Sequence, residues 1–250
     1  MNQNAPRTKK TVQQLKAIRE VQRATESAME AVISYLQSTK NPTSEEAHQL
    51  IDTILEKHNC ESPEGHIVSG GIQSVEPHEV GTGPLKKGVP IVIDIYPRSK
   101  ITGYFADMTR TVCIGTQSPE LQKMYNAVLA AQELALSMIK PKIKCSNIQA
   151  AVDTLFKEKG YKTSGKGKVF KFAEGFVHGI GHGVGLDIHE APRIGRGSTD
   201  ILKKGDVITI EPALYYPKLG GIRLEDMVLV TSSGVENLTH FPKQFKIVTS

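Results

Sequence analysis

Tryptophan is absent, aromatic residues make up only 6% of the chain, and 250 residues contain three cysteines. Without aromatics interleaved among basic runs, the excess of 31 Lys and Arg over 26 Asp and Glu reads as a solvated helix face, not a nucleic-acid surface. Much of that excess lies near the start, at Lys9, Lys10, Lys16, Arg19 and Arg23. Cys60, Cys113 and Cys145 are odd in number and scattered, which excludes a disulfide framework and points to a reducing compartment. Long apolar runs are lacking too: none approaches the roughly 18 residues that span a membrane. The opening MNQNAPRTKK has no apolar core of a secretory signal. The expectation is a soluble, cytoplasmic protein without nucleic-acid or membrane partners, whose 39% hydrophobic residues suffice for an ordinary core.

What is present is a phrase written twice. LKKGVPIVID ends at Asp94 and LKKGDVITIE ends at Glu211, with the acid at the same distance from its glycine in both. Each copy runs through a turn to a second acid and another β-rich run, Asp107 before MTRTV and Glu225 before DMVLV. Two acid-bearing hairpins in matching positions imply an ancient duplication.

The surrounding elements repeat as well. Apolar residues recur at helical spacing from Thr11 to about Ser38 with one polar gap in the middle, and Ser44 is read as the cap of a second helix. A stretch rich in glycine and proline, carrying His78, leads to the first hairpin at Ile91 to Ile114. Ser118-Pro119-Glu120 then opens a helix that Pro141 ends, and Ser146 or Asn147 caps another that Gly160 closes. A Lys- and Gly-rich loop, TSGKGKVFK, follows. The expected fold is α+β, with two pseudo-symmetric halves, hairpins sharing one curved antiparallel sheet, and helices outside. The expected bounds are a flexible tail at 1–10 and a single domain at 11–250, with halves 11–115 and 116–250.

Strand alternation sets Ile91, Ile93 and Ile95 against Asp94, and Ile208 and Ile210 against Glu211. The isoleucines would face the helices and the acids would face inward. Between the halves, GFVHGIGHGVGLDIHEAP interleaves His178, His182 and His189 with glycines. Four glycines in seven residues make a helix untenable, so an extended backbone is expected, with the glycines leaving room for close approach of another chain segment. A lone histidine or acid is ordinarily a hydrogen-bonded or salt-bridged structural residue, and Asp187, Glu190 and Asp226 are read that way. Four acids in one pocket are different, because they repel and protonate unless cations neutralise them. Two divalent ions with one imidazole ligand would do so. About 3.5–4 Å apart, such a pair lowers the pKa of a water and polarises a carbonyl. Oxygen-rich ligands with one nitrogen favour Mn²⁺, Co²⁺, Zn²⁺ or Fe²⁺.

The ordered set Asp94, Asp107-Met-Thr-Arg-Thr, Gly181-His182-Gly183, His189-Glu190-x-Pro192, Glu211-Pro212 and Arg223-x-Glu225-Asp226 resembles the pita-bread metallopeptidases. That fold family includes methionine aminopeptidase, prolidase, aminopeptidase P and creatinase. The resemblance implies two metal ions, Mn²⁺ first among the candidates, on Asp94, Asp107, His182, Glu211 and Glu225, with Asp107 and Glu225 bridging. It implies Glu211 as proton carrier, His189 as stabiliser of the tetrahedral intermediate, and His78 as the family's upstream histidine. His178 and Arg223 resemble the proline-directed members, implying substrate contact and cleavage of an Xaa-Pro bond in short peptides by a monomer or homodimer. Methionine aminopeptidase activity and a catalytically inactive binding module are the alternatives. The chain departs from the family pattern in a longer first hairpin, in Tyr96 and Ala213 where glycine is usual, and in an expected lack of the amino-terminal domain that many relatives carry.

Overall fold

A computed structural model describes residues 9–164 and 174–248. Its helices are α1 (Val12–Ser38), α2 (Ser44–Lys57), α3 (Pro119–Met138) and α4 (Cys145–Glu158). The strands are β1 (Cys60–Glu61), β2 (Ile67–Gly70), β3 (Pro90–Ile95), β4 (Arg98–Ser99), β5 (Met108–Ile114), β6 (Gly181–Gly183) and β7 (Glu190–Ile194). They continue with β8 (Val207–Ile210), β9 (Ala213–Tyr216), β10 (Gly220–Arg223), β11 (Asp226–Val230), β12 (Val235–Asn237) and β13 (Lys246–Ile247). Most of the TSGKGKVFK loop lies outside the described residues.

Local chemistry explains the helix ends. Thr11 and Gln14 form a reciprocal capping box at the start of α1, and the Ser118 hydroxyl accepts from the Leu121 amide above Pro119. Two expected caps shift by a residue or more. Thr43, not Ser44, caps α2, and the Ser44 hydroxyl instead donates to the Val68 carbonyl. Lys144 occupies the α4 cap without a side-chain bond, so neither Ser146 nor Asn147 serves there. The apolar stripe of α1 holds from Ile18 to Leu36, its polar gap filled by buried Gln22, Ala24, Thr25 and Ala28, whereas Val12 is left exposed.

The expected curved sheet is built mainly from two ladders that meet at a seam, with β1-β4 and β9-β10 as two-stranded additions. A four-stranded sheet runs β13-β5-β3-β2, and a five-stranded sheet runs β12-β11-β8-β6-β7. In the first, β3 and β5 pair antiparallel with Asp94 opposite Thr109; in the second, β8 and β11 pair with Ile210 opposite Asp226. The β9-β10 hairpin is an excursion between β8 and β11. Each ladder ends where acids replace apolar residues, and the two meet there. Glu225 N–H donates to Thr109 O (3.0 Å), and Arg223 N–H donates to the Thr111 hydroxyl (2.9 Å). Ile91, Ile93 and Ile95 bury against α1 and α2, while Ile208 and Ile210 bury with α3 and α4 residues, as alternation requires. The sequence halves also interleave: β13, from the end of the chain, pairs parallel with β5. Of the expected tail, residues 1–8 lie outside the described residues. Lys9 bridges Asp206 and Lys10 is buried, because that segment lies along the turn before β8.

Arg110 on β5 ties the ladders together from within. Its guanidinium, 2% exposed, donates to Asp226 Oδ1 (2.9 Å), Glu225 O (2.6 Å), Thr109 O (2.9 Å) and Phe241 O (2.7 Å). Removing it takes the donor from Oδ1 of the fully buried Asp226 carboxylate and leaves only Lys243 and Asn237 on Oδ2. Arg110→Met is therefore expected to lower unfolding free energy by about 3–5 kcal/mol in urea titrations. A loss under about 1 kcal/mol would show that Lys243, 2.5 Å from Asp226 Oδ2, suffices alone.

Candidate metal centre

The acids converge because each stands at the end of a ladder. Asp94 is the penultimate residue of β3, Asp107 precedes β5, Glu211 follows β8 and Glu225 precedes β11, so both antiparallel pairs present their acids at the seam. His182 enters from β6, where glycine is needed for packing: a Cβ on Gly181 would lie 2.0 Å from Thr209 O, and one on Gly183 would lie 2.2 Å from Ala191 O. The HGIGHG stretch at 178–183 is thus extended backbone wedged between neighbouring segments.

Ligand atoms of Asp107, His182 and Glu225 all lie within 4.8 Å of one another. His182 Nε2 is 3.6 Å from Asp107 Oδ2 and 3.4 Å from Glu211 Oε1. Asp94 joins through Arg223, whose Nη2 donates to Asp94 Oδ2 (2.7 Å). Asp94, Asp107 and Glu225 are buried at 8%, 4% and 2% exposure; the Glu211 side chain is more open at 18%. Among the described residues, Asp94 Oδ1 and Asp107 Oδ1 are buried without a hydrogen-bond partner. Orphaned carboxylate oxygens beside an imidazole nitrogen are what a hard or borderline divalent ion would complete, so the donor set fits metal.

The electrostatics agree. Burial, then repulsion from Glu225, pushes Asp107 well above the ordinary carboxylate range, and the same two causes raise Glu211. Burial and Asp94 raise Glu225 from 4.5 to about 8. Burial holds the imidazoles neutral, His178 and His182 at about 3, with Arg223 and His189 respectively the next causes. His189, largely exposed at the surface, is lowered as well by the partial desolvation of its ring, which meets that of His182 edge-on at 4.3 Å.

The other expected site residues divide. His178 Nδ1 lies 2.7 Å from Gly179 O and must carry the proton there, so Nε2 accepts from the Tyr215 hydroxyl (3.0 Å). Arg223, expected to touch substrate, is enclosed at 4% exposure. Its donors go to Asp94, Thr109 Oγ1 (3.2 Å), Tyr215 OH (2.9 Å) and Pro77 O (3.1 Å), because the seam offers a guanidinium more acceptors than the cleft does. His78 is exposed beside Pro77. Asp226 and Glu190 are salt-bridged, to Arg110 and Lys10 respectively. Two contributors have no role assigned from the sequence. Thr109 donates to Glu225 Oε2 (2.7 Å), and its place two residues after Asp107 on one strand face is the only hint. Tyr215, fully buried and pushed up to about 12 chiefly by burial, links Arg223 to His178.

This architecture is the pita-bread fold, an α+β shell of outer helices around paired ladders, and its seam holds a carboxylate-rich centre with one imidazole. The model of metallopeptidase family M24 matches residues 16–232, and the chain belongs to that family. It is 34% identical to the Xaa-Pro dipeptidase of Pyrococcus furiosus over 222 residues, which is 88% of this chain and 60% of that protein. Among solved structures, the prolidase from Pyrococcus furiosus superposes with a TM-score of 0.85 at 32% identity, covering 94% of this chain and 66% of that one. The X-Pro aminopeptidase from Thermotoga maritima gives 0.85 at 30% identity, covering 96% and 64%. The chain thus spans under two thirds of the length of these relatives. Among the described residues no helix is long and apolar enough to cross a membrane.

Protonation makes the metal-free centre testable. Folded Glu225 keeps its proton up to about pH 8, but unfolded Glu225 releases it near 4.5, so the folded state holds more protons between those values. The stability this group contributes is complete below about pH 4.5 and is lost as pH rises through about 8. Below about pH 6.5 the lowered imidazoles of His178 and His182 act in the opposite sense, so the melting temperature of metal-free protein is expected to fall between about pH 6.5 and 8, and to fall less in Glu225→Gln. A melting temperature that rises with pH there would contradict the assigned environment.

Proposed function

We propose that this chain hydrolyses Xaa-Pro bonds near the amino terminus of short peptides, using two divalent ions held by Asp94, Asp107, His182, Glu211 and Glu225. The observation that carries the reading is convergence of those donors with two buried carboxylate oxygens left unpaired. The names of the relatives support the proline-directed choice, and the oxygen-rich set with one nitrogen fits Mn²⁺, the first candidate, as well as Co²⁺, Zn²⁺ and Fe²⁺. Asp107 and Glu225, from opposite ladders, would both hold the ions at the seam.

When bound, the ions supply Lewis-acid polarisation of the scissile carbonyl and a lowered pKa for the attacking water. The protein's own groups do the rest. Glu211 is the most open of the four acids, which suits it to take a proton from the water and pass it to the departing proline nitrogen. His189, neutral beside His182, donates an N–H to the oxygen on which charge develops. His178 and His78 line the approach. Arg223 holds Asp94 in place and, through Tyr215, fixes the tautomer of His178, which makes it an orienting group more than a substrate contact.

The test is a panel of an Xaa-Pro dipeptide, an Xaa-Pro tripeptide and a Met-Ala peptide, each with Mn²⁺, Co²⁺ or Zn²⁺. Xaa-Pro cleavage is expected. Asp107→Ala or His182→Ala should lower it by about 10²–10³-fold or more with the circular dichroism spectrum retained. Release of methionine alone would assign the methionine aminopeptidase reading, and no turnover or metal uptake with any ion would assign a binding module.

A further inference from the structure

Lys10 and Glu190 stand 180 residues apart and form an ion pair enclosed on both sides. Lys10 Nζ donates to Glu190 Oε1 at 2.5 Å, with the side chains 2% and 9% exposed. Burying a lysine is costly, so a pair this enclosed fixes both of its ends. Backbone bonds anchor the lysine: Lys10 N–H donates to Gly205 O (3.0 Å), and Lys9 bridges Asp206 in the turn that enters β8.

The glutamate opens β7, pairs with Gly183 next to His182, and directly follows His189. Its carboxylate lies on Gly185, where a Cβ would come within 2.4 Å of Oε2. That contact closes the loop from Gly185 to Glu190 on itself. Phe105 N–H donating to Gly185 O (2.8 Å) pins the loop's other end to the first half. Glu190 Oε2 is buried with no hydrogen-bond partner among the described residues, so the carboxylate depends on Lys10 for compensation.

We infer that Lys10 is a positioning residue: its ammonium holds the Glu190 carboxylate over Gly185 and thereby sets the His189 ring against His182. Without it a buried charge is left uncompensated, and the loop opens to hydrate that charge. His189 then loses the fixed placement that transition-state hydrogen bonding demands. The catalytic part of this inference rests on the peptidase reading above; the loop-closing part does not.

The experiment uses metal-loaded full-length protein and reads two things. Amide hydrogen exchange across 185–190 reports loop closure whatever the activity, with α3 as internal reference. In Lys10→Met, exchange in that segment is expected to rise at least about tenfold while α3 is unchanged. The kcat for an Xaa-Pro peptide should fall about 10- to 100-fold with KM nearly constant, and Lys10→Arg should restore both readouts. Glu190→Gln tests the same contact from the other side if Lys10→Met does not fold. Unchanged exchange at 185–190, equal defects in Lys10→Arg and Lys10→Met, or loss of α3 protection together with the loop would each overturn the assignment. If the native protein cleaves no Xaa-Pro peptide, the peptidase reading fails while the exchange data still decide whether Lys10 closes the loop.

Discussion

Asp94, Asp107, Glu211 and Glu225 lose much of their water when the two ladders meet, and like charges at such distances cannot all stay ionised without a counter-charge. Arg223 supplies one positive charge from the Asp94 side. Burial first, and then the remaining repulsion, raises Asp107, Glu211 and Glu225 together, and the repulsion is what divalent ions would relieve. The same destabilised arrangement makes the centre a trap for cations: the unfavourable burial of acids is maintained by the rest of the structure.

That maintenance is spread across the seam. Glu225 N–H bonds Thr109 O, Thr109 Oγ1 bonds Glu225 Oε2, and Arg110 gathers Thr109, Glu225 and Asp226 from behind. Each half contributes two acids and the second half the imidazole, so neither half contains the centre by itself. The helices take no direct part in it. They bury the isoleucine faces of β3 and β8, which leaves the acid-bearing faces turned to the seam.

Much of this was legible in the order of residues. A period-two alternation forces Asp94 to the face opposite Ile93 and Ile95, and the duplicated phrase places Glu211 likewise. The glycines around His182 announced an extended, crowded backbone, and the structure puts other backbone within contact of Gly181 and Gly183. What stayed hidden was the pairing between distant segments. Whether Arg223 faces substrate or Asp94 depends on Thr109, Tyr215 and Pro77 arriving from elsewhere, and nothing near Arg223 in the chain tells of them. Cap positions slipped for a smaller reason: Thr43 beside Ser44 offers two hydroxyls for one role, and tertiary contact with Val68 decides which is used. Lys10 read as part of a solvated basic cluster because its partner lies 180 residues away.

The most direct measurement is anomalous diffraction from crystals of the protein loaded with Mn²⁺. Two peaks about 3.5–4 Å apart, enclosed by Asp94, Asp107, His182, Glu211 and Glu225, are the expected result. One isolated peak, or ions bound away from these five side chains, would contradict a dinuclear centre at the seam.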